Sequence, residues 1–211
     1  MNPKGIVFDL DGTLLNTLTD LTNAVNYMLK NHGFPLRRQD EIRRFLGNGA
    51  RNLITKSLPE GIDGETLEDC LAEYSAYYTT HSQIATAPYE GIVELLEDLQ
   101  KRGIKCAIVS NKGDVQVKAL AKRHFEKYVT VAVGERAGIR RKPCPDSVLE
   151  ALRELDVDPA DAILVGDSEV DGETAKNAKI PFVAVTWGFR DRNVLERCNP
   201  AKIIDKPQQL L

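Results

Sequence analysis

Gly5-Ile6-Val7-Phe8-Asp9-Leu10-Asp11-Gly12-Thr13 is the stretch on which the reading of this chain turns. Its first residues make a short apolar run rich in β-branched side chains, the pattern of a strand buried on both faces of a sheet. The run stops at Asp9 and a second acid, Asp11, follows at i+2. An extended backbone therefore aims both carboxylates to one side, and Gly12 then permits a sharp turn. A plain turn or helix-capping loop is the bland reading of the same residues, since Asp and Gly are common turn formers. The choice between the two depends on what the rest of the chain brings to the same edge.

Similar apolar runs lie at 104–109, 129–133, 162–165 and 182–185, with a weaker one at 201–204. Helical patterns fall between them: Val115, Ala119 and Lys122 follow the second run, and Val148, Leu149, Leu152 and Leu155 precede the fourth. Strand and helix alternate, which predicts an α/β fold, a doubly wound parallel sheet. One interval breaks the rhythm: about 90 residues separate the first two strands, where a crossover needs only a dozen or more. The interval reads as helices, with Leu18, Leu21, Val25, Met28 and Leu29 on one face, Leu67, Leu71, Tyr74 and Tyr78 on another, and a short helix near 51–57 between them. The expected organisation is a core of residues 1–15 and 85–211 and an inserted helical lobe of residues 16–84.

The chain has 211 residues, 42% of them hydrophobic, with 28 Lys+Arg against 31 Asp+Glu for a formal net charge of −3. That length suits one core with a modest second lobe. A faintly acidic balance disfavours nucleic acid or an anionic membrane as partner, while a local basic patch remains free to hold a small anion. The longest apolar runs, such as Cys106-Ala107-Ile108-Val109, are far short of the roughly 20 residues that span a bilayer. Charged residues at Asp9 and Asp11 interrupt the N-terminus before an export signal's apolar stretch is complete, so the expected location is the cytoplasm. Cysteines 70, 106, 144 and 198 form no C-x-x-C pair, and reduced thiols are expected.

Ligands of an open parallel sheet collect at the carboxyl ends of its strands, and four such ends here are polar. Asp9 to Thr13 follow the first strand. Ser110-Asn111-Lys112-Gly113 follow the second, offering a hydroxyl, an amide and a turn suited to an anion or, more simply, to a helix cap. Arg140-Arg141-Lys142-Pro143-Cys144-Pro145 lies beyond the third; it reads either as a solvated basic loop or, stiffened by two prolines, as a fixed positive charge at Lys142. Gly166-Asp167-Ser168-Glu169-Val170-Asp171-Gly172 follows the fourth, a capping loop or a set of oxygen ligands suited to Mg²⁺. Any one of these has an ordinary explanation. Their joint placement on one predicted edge, supplying nucleophile, anion donors, cation and metal ligands, does not.

The order D-x-D-G-T at 9–13, S-N-K at 110–112, K-P at 142–143 and G-D-S-x-x-D at 166–171 resembles the haloacid dehalogenase superfamily of phosphotransferases across essentially the whole chain. The insertion after the first motif resembles that family's small cap. Within the superfamily the chain is similar to bacterial phosphoglycolate phosphatases, through Gly47-Asn48-Gly49-Ala50, Ser110-Asn111-Lys112 and Thr186-Trp187-Gly188-Phe189. It departs at Asn16, where relatives often carry an acid, and it has no His near Leu21 of the kind that would suit the sugar-phosphate mutases.

The resemblance implies a Mg²⁺-dependent phosphatase of a small phosphorylated metabolite. Asp9 is the expected nucleophile, forming an aspartyl-phosphate, with Asp11 as general acid and base and Lys142 as the catalytic cation. Asp9, Asp167, Asp171 and Asp11, the last through its carbonyl, are the expected metal ligands. Thr13, Ser110, Asn111 and Lys112 are expected at the phosphoryl group or its loop, and Asn48 and Arg51 in the inserted lobe form a candidate cradle for a carboxylate such as that of 2-phosphoglycolate. A turn with a solvated arginine explains Asn48 and Arg51 equally well. The alternatives are pyrophosphate or a sugar phosphate as substrate, a phosphoglucomutase, and a receiver-type phosphoacceptor switch, against which the inserted lobe and Asp11 both argue. A monomer or homodimer is expected.

Overall fold

The computed structural model describes residues 3–211. It divides into two compact units, one comprising the chain up to Leu15 together with Pro88–Leu211, the other Asn16–Ala87. In chain order the elements begin with β1 (Gly5–Phe8), β2 (Leu15–Asn16), α1 (Leu18–Asn31), α2 (Gln39–Phe45), α3 (Gly49–Ser57), α4 (Gly64–His81) and β3 (Ala87–Pro88). They continue through α5 (Ile92–Lys101), β4 (Lys105–Gly113), α6 (Asp114–Phe125), β5 (Val131–Glu135), α7 (Asp146–Leu155), β6 (Ala162–Gly166), α8 (Glu169–Ala178), β7 (Phe182–Val185), α9 (Arg192–Glu196) and β8 (Lys202–Ile204).

Six strands form one parallel sheet in the order β5-β4-β1-β6-β7-β8, so the fold is α/β as expected. The first strand lies in the middle, with Phe8 level with Ile108 of β4 on one side and Val165 of β6 on the other. The chain therefore winds outward in both directions from β1, which opens a crevice at the carboxyl ends of the strands flanking it. Alternate residues of each strand face opposite layers. Ile6, Phe8, Ile108, Ile163 and Val165 pack with α5 and α6 residues, whereas Val7, Ala107, Val109 and Leu164 pack with α7 and α8 residues. Both faces are covered, and this is why the strands read as unbroken apolar runs.

Two helix faces differ from their sequence expectation. On α6 the buried face is Val117, Leu120, Ala121 and Phe125, while Val115 is 75% exposed. The helix starts only at Asp114, so Val115 belongs to its first turn at the sheet's carboxyl edge, beyond the layer it packs on. On α7, Ala151 joins Val148, Leu152 and Leu155 in the i, i+3, i+4, i+7 pattern, and Leu149 points away.

In the second unit, α1 buries Leu21, Val25, Met28 and Leu29 as its periodicity predicts. Helix α2 was not anticipated; with seven residues and only Ile42 buried, it carries too little apolar pattern to be read. The four cysteines are free thiols. No helix among the described residues is long and apolar enough to cross a membrane.

Two carboxylates outside the motifs organise their surroundings. Asp20, buried on α1, accepts hydrogen bonds from the backbone N–H groups of Ile84, Ala85 and Thr86 and from the Thr86 hydroxyl, at 2.8–3.1 Å. These donors lie in a stretch with no helix or strand of its own to satisfy them. Asp114, at the start of α6, accepts from the Gly134 N–H at 2.9 Å and pairs with Lys118 and Arg136, tying α6 to β5. Burial acts against its charge, but these partners prevail and hold its pKa below 3.8.

Asp20→Ala is expected to lower the unfolding free energy by about 2–4 kcal/mol, because it strands several donors at once, the buried N–H and hydroxyl of Thr86 among them; a urea midpoint equal to that of the wild type would refute this. Asp114→Asn is expected to destabilise at neutral pH. Because the folded-state pKa is depressed, the carboxylate's contribution is present above 3.8 and vanishes as pH falls through the folded value. The gap in melting temperature between wild type and Asp114→Asn should therefore close on acidification, which a pH series of melting curves checks.

Candidate active site

The carboxyl ends of β4, β1 and β6 lie side by side, and the loop after β5 reaches the same place. Asp9 continues β1, with its N–H donating to the Val165 carbonyl, so its position is set by the sheet ladder. Lys142 arrives from the loop between β5 and α7. Its ammonium is 2.6 Å from Asp9 Oδ1 and 2.6 Å from Asp171 Oδ1, with side-chain exposures of 3%, 9% and 1% for the three residues. The fixed-charge reading of Lys142 thus prevails over the solvated-loop reading. Two asparagines grip the segment that delivers it: Asn111 Nδ2 donates to the Lys142 carbonyl and Asn177 Nδ2 to the Pro143 carbonyl, both at 2.9 Å.

The second acid of the first motif has its own cation. Lys112 Nζ lies 2.7 Å from Asp11 Oδ1, and the Ser110 hydroxyl reaches Asp11 Oδ2 at 3.4 Å. Ser110 Oγ also accepts the Lys112 N–H at 3.2 Å. Strand β4 continues through Ser110, Asn111 and Lys112 to Gly113, with an irregular register after Val109, so Ser110 and Asn111 end a strand rather than cap a helix, and the N-cap position of α6 falls to Gly113. Lys112, expected at the phosphoryl group, has its ammonium committed to Asp11.

Asp167 is 2% exposed and both its oxygens are occupied. Thr13 Oγ1–H donates to Oδ1 at 3.2 Å and the Phe189 backbone N–H donates to Oδ2 at 2.6 Å. Thr13 is fully buried, so its contact is with this carboxylate and it has no surface to offer a substrate. Asp171 Oδ2 accepts from the Ser168 N–H and hydroxyl in a capping box at the start of α8. Gly12, at φ 95°, passes so close to Asp167 that any side chain there would overlap the carboxylate, and Gly166 is in the same relation to Asp171.

Four carboxylates (Asp9, Asp11, Asp167, Asp171) thus face two ammonium groups (Lys142, Lys112), a formal excess of two negative charges. The excess shows in the titration behaviour. Burial raises Asp9 well above 3.8 against the pull of Lys142, with the charges of Asp171, Asp167 and Asp11 adding to the rise. Burial, with Asp171's charge, pushes Asp167 up to about 7 despite the Phe189 N–H, Arg190 and Thr13. On Lys142 burial works the other way, but Asp171 and Asp9 together outweigh it and hold the ammonium above its ordinary range. Oxygens of Asp9, Asp167 and Asp171 lie within 4.8 Å of one another. An all-oxygen, charge-deficient set of this kind fits a hard divalent cation.

The remaining expected residues lie in the second unit. Asn48 is the N-cap residue of α3, between Gly47 and Gly49, both at positive φ, and its side chain makes no capping bond. Arg51 forms a two-pronged pair with Glu68 at 2.5 and 2.8 Å, both side chains more than half exposed.

Sequence reasoning missed Asn177 and the Phe189 N–H. The capping-loop reading of 166–172 is met at Ser168, whose S-x-x-D spacing makes a capping box with Asp171. Phe189 contributes a backbone group, on which side-chain identity is silent, and Asn177 is set by the packing of α8 beside the Lys142 loop.

Comparison with known proteins gives these motifs a family context. The sequence profile of the haloacid dehalogenase-like hydrolases matches residues 6–185. Phosphoglycolate phosphatase 1 of Pseudomonas aeruginosa is 33% identical over 99% of this chain and 79% of its own length, and a phosphoglycolate phosphatase of Mesorhizobium japonicum is 34% identical over 90% and 86%. A solved structure from Lactobacillus delbrueckii subsp. bulgaricus, 33% identical, overlays with a TM-score of 0.94, covering 100% of this chain and 97% of that one. A haloacid dehalogenase-like family hydrolase of Streptococcus pneumoniae overlays with a TM-score of 0.88 at 25% identity, covering 98% and 95%. Matched in sequence from β1 to β7 and in fold over its whole length, the chain belongs to the haloacid dehalogenase-like hydrolases and is a phosphatase of that family, a phosphoric monoester hydrolase.

Proposed function

We propose that the protein is a Mg²⁺-dependent phosphatase whose substrate is 2-phosphoglycolate, and that Asp9 carries the phosphoryl group between two half-reactions. The observation that carries the chemistry is the buried set of Asp9, Asp167 and Asp171 around Lys142, with a second acid, Asp11, two residues from the nucleophile. The substrate is supported by likeness to phosphoglycolate phosphatases over nearly the full chain.

A carboxylate approaching a phosphate dianion meets like-charge repulsion worth several kcal/mol at about 3–4 Å in a poorly solvated pocket. Lys142 opposes part of it, and Mg²⁺, when held by Asp9, Asp167 and Asp171 with the Asp11 carbonyl, supplies the rest by neutralising charge on the phosphoryl oxygens. Lys142 occupies Asp9 Oδ1, leaving Oδ2 with no hydrogen-bond donor among the described residues. Oδ2 is the atom assigned to attack phosphorus as the bond to the ester oxygen breaks. Asp11, in its acid form, protonates that departing oxygen. The carboxylate so produced then takes a proton from water, whose oxygen attacks phosphorus, and the Asp9–phosphorus bond breaks to release inorganic phosphate. Acid–base assistance of this kind typically contributes about 10²–10⁴-fold. Lys112 and Ser110 hold Asp11 in place, and Asn111 holds the backbone of Lys142.

Selection of the leaving group is assigned to the second unit. Gly47-Asn48-Gly49 and Arg51 are the proposed carboxylate cradle at the start of α3. Arg51 must then exchange Glu68 for the substrate. An exposed pair is weak enough for that exchange.

Phosphate release should be Mg²⁺-dependent and fastest with 2-phosphoglycolate among that ester, pyrophosphate, sugar phosphates and an aryl phosphate. Asp9→Asn should fold, by its circular dichroism, and release no phosphate. A wild-type preference for pyrophosphate or a sugar phosphate would transfer the assignment to that substrate, and full activity in Asp9→Asn would overturn the mechanism. Arg51→Ala should raise KM for 2-phosphoglycolate about tenfold or more, the scale of a lost charge-assisted contact, and leave the aryl phosphate unaffected. Equal KM values for both esters in variant and wild type would remove the cradle.

A further inference from the structure

The segment Thr186-Trp187-Gly188-Phe189, which follows β7, belongs to none of the four motifs, yet it is bonded to two of them. The Trp187 indole N–H donates to the Thr13 carbonyl at 3.0 Å. Thr13, held there, donates its hydroxyl to Asp167 Oδ1, and two residues beyond Trp187 the Phe189 N–H donates to Asp167 Oδ2. Between them lies Gly188, whose missing side chain would collide with both the Asp167 side chain and the Gly12 carbonyl. The backbone of the segment is thus laid directly against the carboxylate. Trp187 also packs on the apolar layer that contains Phe8 and Val165, which anchors the segment to the strands beneath.

We propose that Trp187, Gly188 and Phe189 form a positioning clamp that fixes the Asp167 carboxylate for divalent-cation binding. The clamp rests on the metal reading given above and extends it to residues that touch neither metal nor substrate. The physical reason is orientation. A carboxylate whose two oxygens are held by donors on opposite sides cannot rotate about its terminal torsion. The order in which it must meet a small cation with strict geometric demands is then set before the cation arrives. Thr13 alone would leave Oδ2 free to turn, and the Phe189 N–H supplies the second point. Gly188 lets that N–H come within reach.

Trp187 is the chain's single tryptophan, so its fluorescence reports on the clamp without any turnover. Mg²⁺ titration of the wild type should give a saturable change in Trp187 emission, with the same midpoint as the rise in melting temperature on adding Mg²⁺. Gly188→Ala should push both midpoints up by about tenfold or more, the usual effect of disturbing a group that orients a metal ligand, and excess Mg²⁺ should restore turnover. Should Gly188→Ala fail to fold, Trp187→Phe, which keeps the aromatic packing and removes only the indole donor, is read by melting temperature alone, with an upward shift of the Mg²⁺ midpoint expected. A folded variant that is merely less stable without metal and has the wild-type midpoint overturns the clamp. A wild type that shows no Mg²⁺ response in either readout overturns the metal reading and the clamp together, whereas a responsive wild type with unshifted variants overturns the clamp alone.

Discussion

One ammonium group lies 2.6 Å from each of two buried carboxylates, and the rest of the site is arranged around that contact. Burying ionised groups is expensive, and a lone buried charge is worse than a compensated pair. Lys142 relieves the mutual repulsion of Asp9 and Asp171, but a single positive charge does not balance the acids gathered there. Burial, with the charges of the neighbouring acids adding to it, raises Asp9 and Asp167 far out of the ordinary carboxyl range. The protein tolerates this cost at one place, where the same excess of negative charge on an all-oxygen set suits a divalent cation.

Assembling such a site requires that four sequence-distant segments meet. The strand order β5-β4-β1-β6-β7-β8 does this by placing β4 and β6 on either side of β1, so that Asp9, Ser110 and Asp167 emerge from neighbouring strands at one edge. Lys142 comes from further along the sheet and needs help: Asn111 and Asn177 hold successive backbone carbonyls of its loop. Glycines make the final approach possible. Gly12 and Gly188 border Asp167 where no side chain fits, and Gly166 borders Asp171. The preorganisation is therefore as much a property of backbone proximity as of the charged groups it serves.

The second unit is built on different terms. Its helices bury conventional apolar faces, and its one deeply buried acid outside any motif, Asp20, is spent on backbone donors of the returning chain. Arg51 is paired with Glu68 at the surface. Nothing in that pairing resembles the enforced geometry around Lys142.

The strands, the insertion and the motif acids were legible in the sequence because each has a local cause. An apolar β-branched run is buried wherever it lies, a long gap between adjacent strands must be filled, and Asp-x-Asp after a strand turns both acids one way. Helix faces were read less well: Val115 was grouped with the helix pattern although it is exposed, because periodicity does not say where a helix begins relative to the sheet it covers. Residue type by itself determined which groups are present and at which strand ends they lie. Only the tertiary structure decided their partners: Lys112 on Asp11, Thr13 on Asp167, Arg51 on Glu68, and the Phe189 N–H on the far oxygen of Asp167. The reason is that a pairing depends on distances between segments 17 to 154 residues apart along the chain, fixed by strand order and backbone closeness, and no local pattern of side chains encodes either.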